Sequence, residues 1–388
     1  MLELSEASYV SQIDSDTTAS QGEYVIRKYR PGDVEGIMEL DRVVWERDRR
    51  PAWFMWKYVR NPYVEEVPVF VAERDGQIVG ARPLMAFQIR SGEQTRTALQ
   101  PADTMVHPDH RQRGLFTRMT ELAIETYESR HPGFFFNFPN RQSWPGYEKL
   151  DWRSVAPRVT YYRVERPSAF LGGIPVRRAL GWMIDQSAGA YVQARRVAAN
   201  GADDELDVGV ERVIGTPIDR IEDLYELAIP DEFHANRSAE FLKWCFSSPA
   251  WTRQTYVATS GGEDVAGIVS RTRINESGTV ITQIIDMLPL VGGAQRRAAI
   301  RQLLNAMIAD HRRTDVFSVA SATVPPELLT SLGFLPDDRL PLSRLTSNDV
   351  SLATRPFDVE APDAWTWNGR RLDRSDNWLL SFVERDTA

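Results

Sequence analysis

The sequence contains few of the residues that build disulfide frameworks, metal centres or membrane spans. Cys245 is the one cysteine among 388 residues, which excludes an internal disulfide and a cysteine-rich metal site. No run of apolar residues approaches the ~20 that a membrane-spanning helix needs. Positive charge is also in deficit, since the formal net charge is −8 at pH 7. Because general nucleic-acid binding depends on a basic surface, we expect no nucleic-acid partner.

The amino-terminal segment lacks the features of a signal peptide. Residues 1–22 include several acids and have neither a basic start nor an apolar stretch, so they predict a flexible polar tail. We therefore expect a cytoplasmic protein without membrane contact. The rest of the composition, 42% hydrophobic and 26% charged, is ordinary for a globular protein, and the length predicts two or three domains.

The stretch from Thr97 to Tyr127 predicts a strand, a basic turn and an amphipathic helix. Apolar residues recur at three- and four-residue spacing, which places them on one helix face: Leu115, Phe116, Met119, Leu122, Ala123 and Tyr127. Asp109 is expected at the helix entry as an acceptor for backbone N–H groups. The first helical turn offers unpaired N–H donors, and Gly114 lets a ligand approach the backbone closely. With Arg111, Arg113 and Arg118 at the same end, the turn suits a phosphate group, although three solvated arginines on a surface turn would give the same pattern.

The elements around this stretch follow a recognisable order. A strand at 23–29 precedes a helix at 34–48 that Asp33 is expected to cap, and a second helix covers 52–59. A hairpin turns at Asp75-Gly76, and after the basic turn and helix a buried strand covers 134–138. A short helical turn around Tyr147 and a last strand at 159–166 complete the unit.

This unit resembles the GNAT N-acetyltransferases over about residues 23–166. The family motif, Q/R-x-x-G-x-G/A after a strand, is matched by Arg111 and Gly114, whereas Phe116 stands where the family usually has a small residue. Phe138-Pro139-Asn140, Tyr147 and Lys149 to Trp152 strengthen the resemblance. It implies an α+β fold in which a mixed, mostly antiparallel sheet is flanked by helices and a parallel strand pair splays apart at the acyl-CoA site.

The resemblance also implies a set of residues that bind acetyl-CoA as co-substrate. A backbone N–H around Met105 and Val106 is expected to hold the thioester carbonyl, and Asn140 is a candidate for the pantetheine arm. The pyrophosphate is expected at the turn and first helical residues, which are Arg111, Gln112, Arg113, Gly114, Leu115, Phe116 and Thr117.

Two residues are candidates for proton transfer. Tyr147 is the candidate general acid for the thiolate leaving group, with a core tyrosine as the alternative. Asp103 is the candidate base or amine-orienting group, but Asp286 occupies the equivalent place in the second half, which favours a structural role for both. His107 and His110 are too weak a pattern for a metal site, and none is expected.

The second half of the chain repeats the first in outline. Phe54 to Pro62 aligns with Phe241 to Pro249, and the hairpin at Gly80 aligns with that at Gly267. The repeat predicts a second, degenerate GNAT-like lobe at 206–345, because its turn at 292–298 lacks the Arg-x-x-Gly spacing. Residues 167–205 are expected to form a linker helix, with a membrane-surface helix as the weaker alternative.

The remaining segment, 346–388, is rich in tryptophan. Trp365, Trp367 and Trp378 stand among acids and amides, which suits either sugar stacking or docking of the tail across the lobes. We favour docking.

The leading hypothesis is an acetyl-CoA-dependent N-acetyltransferase with one working lobe. Its acceptor would be a primary amine on an amino sugar, a small molecule, a peptide or a lysine, attacked directly in a ternary complex. A Fem-like aminoacyl transferase and a non-catalytic acyl-CoA-binding or scaffold protein are the alternatives. The sequence does not identify the acceptor, the general base, any ligand of the second lobe or the oligomeric state.

Overall fold

The computed structural model describes residues 23–47, 49–130, 133–157, 159–166, 208–248, 251–275, 278–340, 342–344 and 351–385. The predicted tail at 1–22 and the linker helix at 167–205 therefore lie outside the described residues. The domain boundaries stay predictions.

Alternating and fully apolar runs form the strands of two large sheets and one small one. Their bounds are β1 Val25–Lys28, β2 Val69–Arg74, β3 Gln77–Ser91, β4 Gln94–Pro101, β5 Met105–Val106, β6 Phe134–Asn137, β7 Arg153–Pro157, β8 Thr160–Val164, β9 Gly209–Val213, β10 His234–Ala235, β11 Thr252–Ser260, β12 Glu263–Ile274, β13 Val280–Leu288, β14 Val316–Ala320, β15 Leu335–Pro336, β16 Ser351–Pro356, β17 Thr366–Trp367 and β18 Arg370–Arg371.

The helices pack their apolar faces on these sheets. The α-helices are α1 Val34–Trp45, α2 Pro51–Phe54, α3 Leu115–Glu128, α4 Trp144–Glu148, α5 Ile218–Glu226, α6 Ala239–Phe246, α7 Ala294–Asp310 and α8 Pro326–Ser331. A π-helix, Met55–Val59, continues directly from α2. Short 3-10 turns lie at Pro31–Asp33, Pro108–His110, Ser321–Thr323, Leu342–Arg344 and Ser375–Asn377. Within the described residues, no helix has the length and apolarity to cross a membrane.

The two large sheets have the same internal order. The first runs β1-β2-β3-β4-β6-β16-β7, with β5 and β10 also paired to β3. The second runs β9-β11-β12-β13-β14-β8-β15. In each sheet the fourth and fifth strands are parallel, β4 with β6 and β13 with β14, and the neighbouring pairs are antiparallel. The expected α+β class, with two mixed, mostly antiparallel sheets flanked by helices, is confirmed.

The sheets exchange one strand. β8 follows the first sheet in the chain but pairs with β14 in the second, from Val316↔Val164 to Ala320↔Thr160. β16 follows the second sheet in the chain but pairs with β6 in the first. Placing the strand at 159–166 in the first unit was therefore wrong. Its partner strand was chosen by tertiary packing, which a local sequence pattern does not encode.

The parallel pair of the first sheet separates towards its carboxyl end. β4 and β6 are paired only at Ala98↔Phe134 and Leu99↔Phe135, although β6 continues for two further residues. After β4 the backbone turns through Asp103, whose φ is +43°, and β5 then pairs back with β3. This is the expected splay of the parallel pair, and it opens a gap between the two strand ends.

A reciprocal tryptophan pair joins the two halves. Trp56 Nε1 donates to Trp244 O at 2.8 Å, Trp244 Nε1 donates to Trp56 O at 2.8 Å, and the rings stack with centroids 5.5 Å apart. A local two-fold axis relates the two hydrogen bonds, so Trp56 and Trp244 occupy equivalent positions in the two halves. The predicted alignment of Phe54 with Phe241, which matches Trp56 to Lys243, is thus one residue out of register.

Three local expectations are corrected. Asp33 does not cap α1, because its carboxylate accepts from Arg27 at 2.7 and 2.8 Å and from the N–H of Arg30 at 2.6 Å. Asp109 does not cap α3, whose N-cap is Gly114. The apolar spacing of residues 34–48 also predicts that Trp45 lies on the buried stripe of α1, but its side chain is 42% exposed.

Candidate active site

The gap between the ends of β4 and β6 forms a cleft of about 720 Å³. Its walls combine the segment after β4, the segment after β6 and the start of α3, with the end of α1 and the tail residue Arg385 at its edges. The lining residues that bear polar or aromatic groups are Trp45, Arg47, Gln100, Asp103, Thr104, Arg111, Phe116, Asn137, Asn140, Gln142, Ser143, Tyr147 and Arg385. Residues that the sequence places far apart therefore share one cavity.

Tyr147 lies on α4 with its hydroxyl in the wall of the cleft. Arg82, fully buried on β3, donates from Nη1 to Tyr147 Oη at 3.0 Å and to Thr104 Oγ1 at 2.9 Å. A guanidinium group can only donate, so the tyrosine oxygen accepts this bond and keeps its own proton for another acceptor. This geometry suits a proton donor facing the cleft. The catalytic role of Tyr147 stays a prediction.

Arg82 was missed by the sequence reasoning. Its guanidinium also lies over the rings of Phe116, at 4.7 Å, and Tyr147, at 4.9 Å. Nε and Nη2 are buried and make no hydrogen bond within the described structure. The available signal was a charge inside the otherwise apolar run from Ile78 to Phe87, since such a residue needs a specific reason to be buried.

The basic turn presents an open backbone surface at the start of α3. Gly114 has φ +72°, and a Cβ placed on it would meet no atom within 4 Å. Gln112, at φ +60°, turns the chain before it, and Arg113 is exposed. The unpaired N–H groups of the first turn, including that of Thr117, follow directly from this position. Leu115 is buried in the core, so only its backbone faces the turn.

Phe116 lies on the cleft side without covering Gly114. Its ring contacts Tyr147 edge to face at 5.4 Å, and a Cβ on Gly146 would approach its Cε1 at 2.7 Å. The family's small residue is thus replaced by a ring that fills the space between α3 and α4. The position over Gly114 stays open, so the residues present fit a diphosphate group there.

The strand end also provides a backbone donor. His107 N–H donates to Val79 O at 2.9 Å, and N–H groups alternate in direction along a strand. The N–H of Val106 therefore points away from β3, towards the cleft that Val106 lines, whereas that of Met105 points to β3. Arg111 Nε bonds to Val106 O at 3.3 Å and joins the turn to this strand. Of the two predicted residues, Val106 has the suitable orientation.

Asn140 lies at the mouth of the cleft, but its carbonyl oxygen is already used. Asn140 Oδ1 accepts from Ser143 N at 2.9 Å, which shapes the turn into α4. Contact with a pantetheine arm would fall to the amide nitrogen.

Asp103 is surrounded by donors. Its carboxylate accepts from Lys57 Nζ at 2.6 Å, Tyr58 Oη at 2.7 Å and Arg49 Nη1 at 2.9 Å. Burial alone would raise the pKa of Asp103, but the charges of Lys57 and Arg49 hold that pKa below its ordinary value. A carboxylate held in this way is a weak proton acceptor, so these contacts favour the structural alternative over the predicted base role.

Asp286 has the same kind of environment in the second sheet. Arg237, fully buried, donates to it from Nε at 3.0 Å and from Nη2 at 3.3 Å, and also binds Glu384 of the tail. The two equivalent aspartates each hold a buried cation. This agreement between the halves further supports a structural role for Asp103.

The two histidines beside the turn bind neighbouring groups. His110 Nδ1 is 2.8 Å from Tyr24 Oη, and His107 Nδ1 accepts from Asp109 N at 3.3 Å. In the part of the chain that the structure describes, no three His, Cys, Asp or Glu side chains are grouped so as to hold a metal ion.

The equivalent place in the second sheet is filled by protein. Arg296, on the first turn of α7, is buried and donates from Nε to Pro289 O and from Nη2 to Thr323 O at 2.9 Å. Its Cδ would lie 2.7 Å from a Cβ on Gly292. Arg296 thus bridges the segments that follow β13 and β14. In the first sheet, the equivalent place between the ends of β4 and β6 is the cleft.

Comparison with known proteins agrees with this geometry. Residues 25–155 match the family described as Acetyltransferase (GNAT) domain. Two solved GCN5-related N-acetyltransferases share the fold. The one from Anabaena variabilis is 11% identical, with a TM-score of 0.56 over 87% of this chain and 74% of that one. The one from Kribbella flavida is 12% identical, with a TM-score of 0.53 over 87% and 71%. Among curated proteins, none matches the sequence significantly.

Proposed function

We propose, because residues 25–155 match the model of the GNAT acetyltransferase domain, that the protein transfers an acetyl group from acetyl-CoA to a primary amine. The amine would be carried by an amino sugar, a small molecule, a peptide or a lysine. The reaction is direct attack within a ternary complex of protein, acetyl-CoA and acceptor.

One observation carries the proposal, namely that a single cleft joins the open start of α3 to the hydroxyl of Tyr147. The diphosphate would lie against the N–H groups that follow Gly114, where the helix dipole and Arg113 favour negative charge. The cleft of about 720 Å³ then leads to Val106, Thr104 and Tyr147, so the acetyl end of the same molecule would reach the proton donor.

Two groups of the chain would share the chemistry. The amine nitrogen attacks the thioester carbonyl carbon, forming the C–N bond as the C–S bond breaks. The N–H of Val106 would stabilise the negative charge that develops on the carbonyl oxygen. Tyr147 would give its proton to the departing thiolate and regain one from solvent, while the proton of the attacking nitrogen passes to water.

Unused acceptors in the cleft support an amine as the second substrate. Gln100 Oε1 and Asn137 Oδ1 are buried, line the cleft and accept no hydrogen bond within the described structure. Gln100 holds its orientation by donating from Nε2 to Glu384 O at 2.7 Å. An amine or ammonium group supplies the donors that these two oxygens lack.

Calorimetry with acetyl-CoA tests the assigned binding surface. We expect one site per chain, lost in the double variant Arg113→Glu, Gly114→Trp. The matched control is Arg212→Glu, Gly215→Trp, because Arg212 is likewise exposed and Gly215 likewise has positive φ and open space. Binding that survives the first change rejects the assigned site at Gly114.

An acceptor screen that measures free thiol tests the reaction itself. We expect thiol release from acetyl-CoA to depend on an added amine and to produce its acetylated form. Tight binding of acetyl-CoA without release for any amine class would instead identify a non-catalytic acyl-CoA-binding protein.

A further inference from the structure

A small pocket lies between residues of the two halves, and Lys57 lines it while the ion-pair partner Asp103 lines the cleft. Its volume is about 40 Å³, and its walls include the stacked Trp56 and Trp244, Cys245 and the tail residue Val383. Arg253, Arg271 and Arg385 complete the lining. Neither the family nor the proposed reaction gives this pocket a function.

Like charges face one another in this pocket. Arg253 on β11 and Arg271 on β12 are direct cross-strand partners, and both line the pocket. Burial and the charges of Arg253 and Arg273 lower the pKa of Arg271 to about 9. Arg385 adds a third positive group from the tail.

In the part of the chain that the structure describes, the charged groups of the pocket wall are cations. The described residues that line it include no aspartate or glutamate. Carboxylates outside the lining act on these groups by their charge, Asp337 and Glu384 on Arg385 and Asp286 on Cys245, and Arg237 binds both Asp286 and Glu384.

Two guanidinium donors are also unused. Arg253 Nε and Arg385 Nε are buried and make no hydrogen bond within the described structure. The other donors of Arg253 bind Cys245 O at 3.3 Å and Ser248 O at 3.2 Å at the end of α6, and Arg385 Nη1 binds Thr160 Oγ1 at 3.1 Å. A buried donor without a partner costs free energy, so this site favours an acceptor that the chain itself does not provide.

We propose that the pocket binds a small inorganic oxyanion of the phosphate type between the two halves of the molecule. The volume corresponds to roughly three water-sized spheres, which matches a free ion rather than a substrate. The oxyanion would accept charge-assisted hydrogen bonds from Arg253 Nε and Arg385 Nε. It would thereby fasten the tail to the second sheet.

Thermal unfolding with inorganic phosphate tests the site. At constant ionic strength, we expect the Tm of the wild type to rise by roughly 2–4 °C and to saturate. Arg253→Met should remove the saturable rise, whereas Arg212→Met, an exposed arginine on the same sheet, should keep it. General effects of phosphate on protein solvation act alike on the wild type and both variants, so they do not produce a difference between them. If Arg253→Met does not fold, Arg385→Met replaces it. An equal phosphate response in the wild type and the pocket variant overturns the proposal.

Cys245 gives an independent readout, because it is the only cysteine in the chain and lines the pocket. Anionic iodoacetate should alkylate it at least several-fold faster, relative to neutral iodoacetamide, than it alkylates a free thiol. Phosphate should slow both reactions in the wild type but not in Arg253→Met. A rate ratio equal to that of a free thiol, without protection by phosphate, would show that the arginines only cap α6 and stack on Trp251.

Discussion

At the scale of single residues, a buried cation holds in place the hydroxyl of Tyr147, which is the proposed proton donor. Arg82 donates a hydrogen bond to the hydroxyl oxygen of Tyr147, and the ring of Phe116 packs against the guanidinium of Arg82. The donor therefore keeps one orientation before any substrate arrives. Such preorganisation is what a general acid requires.

Replacing Tyr147 by phenylalanine tests that role. We expect Tyr147→Phe to lower kcat for acetyl transfer by about 10²-fold while the affinity for acetyl-CoA stays unchanged. Steady-state thiol release and calorimetry measure the two quantities. Tyr256→Phe is the control, since it removes another hydrogen-bonded hydroxyl of a buried tyrosine, that to Asp310, in the second sheet. An unchanged kcat in Tyr147→Phe would leave Tyr147 as a core residue.

Asp103 should matter for stability. Asp103→Asn leaves Lys57, which is fully buried, without its carboxylate partner, so we expect a loss of about 3–5 kcal/mol in the free energy of unfolding at pH 7. Urea unfolding measures this loss, and Asp75→Asn, at an exposed turn, should change it by less than about 0.5 kcal/mol.

The pH dependence of that loss has a definite sign. Because folding lowers the pKa of Asp103, its contribution is complete above the unfolded value of about 4 and disappears as the pH falls towards the folded value. The difference between the wild type and Asp103→Asn should therefore shrink below pH 4. A difference that is constant across this range would contradict an ionised Asp103.

Some site residues were accessible to sequence reasoning and others were not. The basic turn, Gly114 and Tyr147 were found because their signals are local and they lie close together along the chain. Arg82 and Gln100 were missed because a sequence does not state which buried polar atoms lack partners. Asp103 was placed correctly in the cleft, but its three donors come from a distant segment, 49–58, and they decide its chemistry.

At the scale of elements, the central feature is the exchange of β8 and β16 between the sheets. Each strand covers the edge of the parallel pair in the other half, β8 on β14 and β16 on β6. The tail that carries β16 also buries Trp367 and Trp378 against Phe233 in the main core. The tail docks as favoured from the sequence, and the burial of these two rings excludes sugar stacking by them.

The exchange predicts how fragments behave. A fragment of residues 23–166 should not fold cooperatively, because it lacks β16 and leaves the edge of β6 bare. Fusing 23–157 through a flexible linker to 351–385 should restore dispersed amide resonances and a cooperative urea transition. A control fusion with the segment 351–385 in scrambled order should remain unfolded. Cooperative folding of 23–166 alone would show that β16 is dispensable.

Local sequence signals predicted most helices and strands, but they did not predict which strands pair with each other. The Asp75-Gly76 turn, the three-and-four spacing of α3 and the phenylalanine run of β6 each specify their own structure. β8 and β16 are both short strands of mixed polarity, and nothing local distinguishes their partner sheets. The π-helix at Met55–Val59 was likewise read as ordinary helix, since a single extra residue per turn leaves the apolar pattern intact.

At the scale of the whole molecule, the two large sheets have the same strand order but differ in what lies at the carboxyl ends of their parallel strands. The first sheet keeps a cleft, whereas Arg296 bridges the equivalent place in the second. Burial lowers the pKa of Arg296 to about 10, which still leaves it charged at neutral pH. This asymmetry agrees with the proposal of one acetyl-CoA site per chain, in the half that contains the first sheet.

Removing the bridge tests this asymmetry. Arg296→Ala should reduce the free energy of unfolding by about 2–4 kcal/mol, because it deletes a buried side chain and two of its hydrogen bonds. The exposed neighbour Arg297 provides the control, and Arg297→Ala should change stability by less than about 0.5 kcal/mol. Calorimetry of Arg296→Ala should still give one acetyl-CoA per chain. A second site in this variant would show that the second lobe is only blocked.

The crossing of β8 and β16 sets an order of events during synthesis. On the ribosome, the first sheet emerges early but keeps an unsatisfied edge until residues 351–356 are translated. The half that carries the candidate active site is thus begun first and finished last, and the proposed acetyl transfer has to await the translation of residues 351–356.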